Sequence, residues 1–228
     1  MFPRSQAAVC SASLLVACAS VAMAGDTAPE PGSTFQCWNF PTPSVPQPAD
    51  PLPFFNPNGV PEFTIKGQPQ WFPAWPPSDP NPKQGVWCVR PFTPGVPPEF
   101  QDSLNFLIPN YDDPDPKVIT VQYKWWADSA APPIGGAVSV ILPDGTGINN
   151  AFGSTVPDGP EHPGWWITTH TITLDFCPPF EEIKIFNNPQ NPVPMYVDWV
   201  CIDTICIPSP GAAGLASLGG MMLLRRRR

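Results

Sequence analysis

The chain has 228 residues, with 11 Lys and Arg against 19 Asp and Glu, 42% apolar residues, 37 prolines and seven cysteines. That length and apolar content suffice for one domain with a sizeable core. The acidic balance argues against nucleic acid and anionic membrane surfaces as partners.

Met1 to Ala24 has the build of a secretory signal peptide. Arg4 supplies the charged start, Ala7 to Val21 the apolar core, and Ala22-Met23-Ala24 an A-x-A cleavage site, so the mature chain is expected to begin at Gly25. Cys10 and Cys18 would leave with this segment, and Cys37, Cys88, Cys177, Cys201 and Cys206 would remain. Export makes disulfides plausible, but five cysteines can pair in many ways, and spacing does not choose among them. Cys201 and Cys206 are five apart on an extended segment, so they point to opposite faces and are poor mutual partners.

From Pro29 to Pro82 there are 16 prolines in 54 residues. Each fixes φ and removes a backbone donor, which speaks against helix and central strand and for polyproline-II and turns. Phe35, Trp38, Phe40, Phe54, Phe55, Trp71, Phe72 and Trp75 are interleaved with the prolines, whereas disordered segments are poor in aromatics. Residues 25–83 are therefore expected to form a proline- and aromatic-rich arm packed on the domain, with Glu62–Lys66 adding to a sheet edge.

Residues 84–207 carry the signals of an antiparallel β domain. Strands are predicted at Gly85–Arg90, Leu104–Ile108, Lys117–Ala127, Ala137–Leu142, Trp165–Asp175, Glu182–Phe186 and Met195–Ile207, separated by Asp-, Gly- and Pro-rich turns. In Lys117–Ala127 the apolar set Ile119, Val121, Tyr123 and Trp125 alternates with Thr120, Gln122 and Lys124, the period-two pattern of a half-buried strand. The expected fold is all-β, an antiparallel jelly-roll-like β-sandwich with an N-terminal arm. The closing segment Tyr196-Val-Asp-Trp-Val-Cys-Ile-Asp203 resembles the last core strand of galactose-binding-like and carbohydrate-binding jelly-roll modules.

Candidate sites are few. His170 lies within a predicted strand and His162 in a loop, and no Ser or Cys stands in a nucleophile context. Glu181 and Glu182 are adjacent and should diverge, so no carboxylate pair marks a glycosidase. The acidic loop Asp112, Asp113 and Asp115 offers hard oxygen ligands that would suit calcium, the one cofactor the sequence suggests. The best lead is aromatic. Trp125-Trp126 and Trp165-Trp166 are adjacent pairs on strands, so one ring of each pair points outward. Trp126, with one of Trp165 and Trp166, is the candidate platform for stacking on sugar rings.

At the end of the chain, Pro208-Ser209-Pro210 precedes the 14-residue run Gly211 to Leu224, and Arg225, Arg226, Arg227 and Arg228 close it. As a helix the run would reach about 21 Å, short of the roughly 30 Å hydrocarbon core, and the arginines should hold their end on the cytoplasmic side. Residues 208–228 resemble the PEP-CTERM tail of exported bacterial proteins, with Ser209 where that family has Glu. The resemblance implies an exosortase-like processing enzyme as partner and a transient membrane tether. With Arg4 and the four terminal arginines set aside, six basic residues remain against 19 acidic ones, a net charge of −13 on the working domain.

Together these features point to a secreted, surface-sorted, non-catalytic β-sandwich protein of the cell envelope or extracellular matrix, structural or adhesive in role. The alternative is a calcium-assisted carbohydrate-binding module that takes extracellular polysaccharide as partner. A secreted hydrolase is the remote third reading.

Overall fold

The computed structural model describes residues 32–50, 54–77, 79, 82–97, 100–127, 134–150 and 153–207. The expected signal cleavage site (Ala22, Ala24, Gly25) and the sorting tail (Pro208, Ser209, Pro210, Arg225, Arg226, Arg227, Arg228) lie outside these residues.

Period-two alternation resolves into strands throughout. The first five are β1 (Ser33–Asn39), β2 (Gln47–Pro48), β3 (Phe54–Phe55), β4 (Glu62–Lys66) and β5 (Gln70–Trp75). Next come β6 (Lys83–Val89), β7 (Ser103–Pro109), β8 (Lys117–Trp126), β9 (Ala137–Ile141) and β10 (Gly147–Asn150). The last are β11 (Ser154–Pro157), β12 (Trp165–Leu174), β13 (Phe180–Phe186) and β14 (Met195–Cys206). They form two antiparallel sheets packed face to face, the β-sandwich expected from the sequence.

Sheet A runs β11-β12-β8-β14-β1-β3, and β6 and β5 extend it beside β14. Sheet B runs β10-β9-β13-β7-β4-β2. β14 is the spine of sheet A. One of its edges pairs with β8 along nearly its whole length, and the other is shared, β1 taking Trp199–Ile205 and β6 taking Met195–Val197. The hand-over lies at Phe40 and Gly85. A Cβ on Gly85 would stand 1.8 Å from the Phe40 carbonyl oxygen, and φ there is +73°, so glycine is required on both counts.

The proline-rich segment differs from expectation. Instead of lying on the domain as an arm, it supplies β1–β5 to both sheets, and β1 sits inside sheet A between β14 and β3. The physical reason is where the prolines fall. β1 contains none, whereas Pro48 and Pro73 lie on β2 and β5, each of which pairs on one side only, where a missing N–H costs no ladder bond. Its aromatics enter the core. Trp38, Phe40 and Phe63 are fully buried, and Phe63 touches Phe40, Phe106 and Trp87 at centroid distances of 4.9, 5.2 and 5.9 Å. Each such ring stabilises the fold by about 1.5–3 kcal/mol through burial.

Two disulfides close the structure. Cys37 and Cys201 are direct partners in the β1–β14 register, and Cys177, between β12 and β13, bonds Cys206 at the end of β14. Cys201 and Cys206 thus take separate partners, as their opposite parity requires. Cys88 is buried with a free thiol, and burial pushes its pKa up.

Candidate functional site

The tryptophans resolve by register. Trp126 stands opposite Trp165, and Trp125 opposite Trp166, so the first pair shares the outer face of sheet A and the second the inner face. Trp125 is fully buried, and Trp166 packs against the core, so Trp166 is not a platform. Trp165 faces outward yet is 1% exposed, because the Lys124 ammonium lies 5.6 Å from its ring centre. Asp158, 2.5 Å from Lys124, and the more distant Asp198 at 3.9 Å hold that ammonium in place. Burial keeps the Asp198 carboxyl above the ordinary carboxylate range despite Lys124 and Lys83 nearby.

Trp126, expected as the exposed ring, is half-buried. Trp75 and Tyr196 meet its ring edge-on at 5.6 and 5.7 Å, and they stack on each other at 3.9 Å. A Cβ at Gly164 would lie 2.6 Å from its indole nitrogen, so the loop before β12 closes over it as well. The three candidates for a sugar platform therefore reduce to one enclosed indole. The cover comes from β5, from Tyr196 on β14 and from the loop before β12, all remote in sequence from Trp126.

His170 is a core residue. Its Nε2 donates to the Gly136 carbonyl at 3.1 Å, and the Tyr123 hydroxyl donates to the same oxygen at 2.8 Å. Burial lowers its pKa to about 4, only partly offset by the Gly136 bond. Above about pH 6.5 this costs nothing. As pH falls from 6.5 to about 4 the unfolded chain takes up a proton that the folded chain refuses, so stability is lost over that window, on the order of 3 kcal/mol. Urea unfolding of the native chain and a His170→Gln variant should show the native chain's relative stability falling by that amount between pH 7 and pH 4. A constant difference would contradict the neutral buried imidazole.

The acidic loop caps itself. Asp113 pairs its backbone with Cys177, and its Oδ1 accepts from the Asp115 amide at 2.9 Å, while Asp112 is exposed. Among the described residues no three His, Cys, Asp or Glu side chains come together as metal ligands.

The outer face of sheet B carries the depression that the sequence did not announce. Outward-facing residues of β4, β7, β13, β9 and β10 form its floor, and Phe92 and Gln101, from the connection between β6 and β7, form one wall. Its volume is about 680 Å³, bounded by Lys66, Ser103, Ser139, Asn149 and Lys184, with Phe92, Phe186 and Ile141 as apolar sides. A smaller hollow of about 260 Å³ continues past Ile141 towards Phe180 and Leu107. Glu182 organises the floor. Its Oε1 accepts from Lys66 at 3.2 Å and from Asn105 at 3.0 Å, and Lys184 lies 3.6 Å from Oε2. Burial and the neighbouring Lys66 act to lower the Lys184 pKa.

The loop wall is pinned at both ends. Arg90 makes two bonds to Asp102, at 2.7 and 2.8 Å, and Gln101 bonds both the N–H and C=O of Thr93. Phe92 is thereby held at the rim. Glu62 and Glu182 share the smaller hollow, but both pair with Leu107, from opposite sides, so the β7 strand separates them. Glu181 diverges from Glu182, as adjacency on a strand dictates, and is fully buried between the sheets.

No known sequence family and no curated protein matches the chain. Among solved structures it is similar in part to the catalytic domain of a GH87 alpha-1,3-glucanase in complex with nigerose. That match has 15% identity over 65% of this chain and 29% of the other, with a TM-score of 0.29. It is also similar in part to the enzymatically active domain of bacteriophage CBA120 tailspike protein 4, with 10% identity over 64% of this chain and 19% of the other, at a TM-score of 0.25. The chain thus spans less than a third of the length of either, and a likeness this slight says nothing of activity.

Proposed function

We propose that the protein is an exported, non-catalytic surface protein that holds polysaccharide in the groove on the outer face of sheet B. The observation that carries this reading is the groove itself. It combines amide, hydroxyl and ammonium groups on a rigid strand floor with the Phe92 and Phe186 rings at its sides. Hydroxyl-rich ligands need that pairing of directional hydrogen bonds with flat apolar surface, and about 680 Å³ lies within the size range of small-molecule sites. The cations of the groove, Lys66 and Lys184, come from the protein itself, so we place no calcium ion in it.

The two disulfides fit an oxidising compartment, and the signal-like start and PEP-CTERM-like tail support sorting to the cell envelope or extracellular matrix through an exosortase-like enzyme. Adhesion and glycan binding are then one role: a surface module that grips matrix polysaccharide.

Calorimetry of the exported chain against a panel of soluble polysaccharides tests the reading. Binding to at least one glycan is expected, with Phe92→Ala weakening it about tenfold, roughly 1.4 kcal/mol, and Trp126→Ala leaving it unchanged. Loss in Trp126→Ala with retention in Phe92→Ala would move the site to sheet A. No binding to any glycan removes the proposal and leaves a purely structural role.

A further inference from the structure

Between the sheets, at the end opposite the Trp126 cluster along β8, three side chains meet whose chemistry the groove does not use. Lys117 opens β8 in sheet A, Glu181 lies at the start of β13 in sheet B, and Asn110 follows β7. The Lys117 and Glu181 side chains are both 0% exposed, and the ammonium nitrogen is 2.9 Å from each carboxylate oxygen. The Asn110 amide donates to Glu181 Oε2, one of the oxygens that Lys117 holds. Amine and amide thus share one oxygen and lie within roughly 5 Å of each other. The Thr204 hydroxyl donates to Asn110 Oδ1 at 3.4 Å, and the Asn110 N–H donates to the Pro179 carbonyl at 2.8 Å, which fixes the residue against the entry to β13.

We infer that Lys117 and Asn110 join in an intramolecular isopeptide bond, with Glu181 carrying the protons. Lys117 first passes a proton to Glu181. The free amine attacks Asn110 Cγ, and the developing oxyanion at Oδ1 receives the Thr204 hydroxyl bond. Glu181 returns its proton to Nδ2 and takes one from Nζ. The Cγ–Nδ2 bond breaks, ammonia leaves, and an Nζ–Cγ amide remains beside a protonated Glu181. No oxidant, metal or cofactor enters the balance.

Three physical conditions favour the step. The partners are held together by the fold, which replaces a bimolecular encounter. Lys117 and Glu181 are shielded from the water that would compete for the acyl carbon. Burial also lowers the Lys117 pKa and raises that of Glu181 to about 7, both in the direction of a neutral amine beside a neutral acid. The product ties the end of β7 in sheet B to the start of β8 in sheet A, a covalent staple suited to a protein exposed to proteases and shear.

Peptide mass spectrometry of the native chain decides. Trypsin should leave Lys117 uncut and release the 84–124 peptide about 17 Da below its sequence mass, the loss of one ammonia. An aspartate-directed protease acting at Asp112, Asp113 or Asp115 should leave the two halves still joined. Glu181→Gln should return Lys117 to trypsin and the peptide to its sequence mass. Cleavage after Lys117 in the native chain at unshifted mass overturns the proposal, whatever the variant's folding. So does a 17 Da loss whose halves separate after aspartate cleavage, which marks a succinimide, or a loss of about 18 Da that links Lys117 to Glu181. A bond that persists in Glu181→Gln overturns the assignment of Glu181 as proton carrier.

Discussion

Replacing both Cys37 and Cys201 by alanine should lower stability by roughly 4–5 kcal/mol in urea unfolding under oxidising conditions. The two residues are 164 apart in sequence, so their bond encloses most of the domain and removes much of the chain entropy of the unfolded state. It also joins β1 to β14, the strand on which every other strand of sheet A except β11 depends directly or through one neighbour. Cys177–Cys206 encloses 29 residues, so the same replacement there should cost roughly 1–2 kcal/mol less. An equal or reversed order would show that strand docking rather than loop closure dominates.

Lys117→Met should destabilise the protein by about 3–5 kcal/mol. The substitution keeps most of the apolar stem and removes the Lys117 nitrogen, and with it the link to Asn110, leaving the buried Glu181 carboxyl without the partner that both its oxygens bond. Desolvation is then uncompensated, which costs more than the pair contributes when intact. The double variant Lys117→Met with Glu181→Leu should recover part of the loss, because the unpartnered buried carboxyl is gone as well. Denaturant midpoints for both singles and the double form the cycle that measures this coupling. A double variant as unstable as the sum of the singles would show that the groups do not interact.

The seven strands read from alternation between residues 84 and 207 coincide with β6, β7, β8, β9, β12, β13 and β14 to within a few residues at each end. Local pattern suffices there, because one face of each strand is apolar. β10 and β11 escaped it: Gly147–Asn150 and Ser154–Pro157 lie at the sheet edges and bury too little to alternate. β1 escaped for another reason, since proline density around Ser33–Asn39 masked a proline-free strand.

For the groove, Glu182, Lys184, Ser139 and Asn105 were readable as the outward residues of their strands. That β4, from residues 62–66, docks beside β7 and completes the floor was not readable. The tryptophans show the same limit. Alternation placed one ring of each pair outward, but only the fold brought Lys124 over Trp165 and Trp75 against Trp126.

By itself the sequence determined the class of fold, the acidity of the domain, the opposite facing of Cys201 and Cys206, and the divergence of Glu181 from Glu182. All of these follow from residue type and a period of two, which act over a few residues. The tertiary structure alone decided the partner of each cysteine, the burial of Trp165, the groove on sheet B and the meeting of Lys117, Asn110 and Glu181. Those depend on which strands become neighbours across 29 to 164 residues of chain, a choice made by packing and loop closure that leaves no local trace.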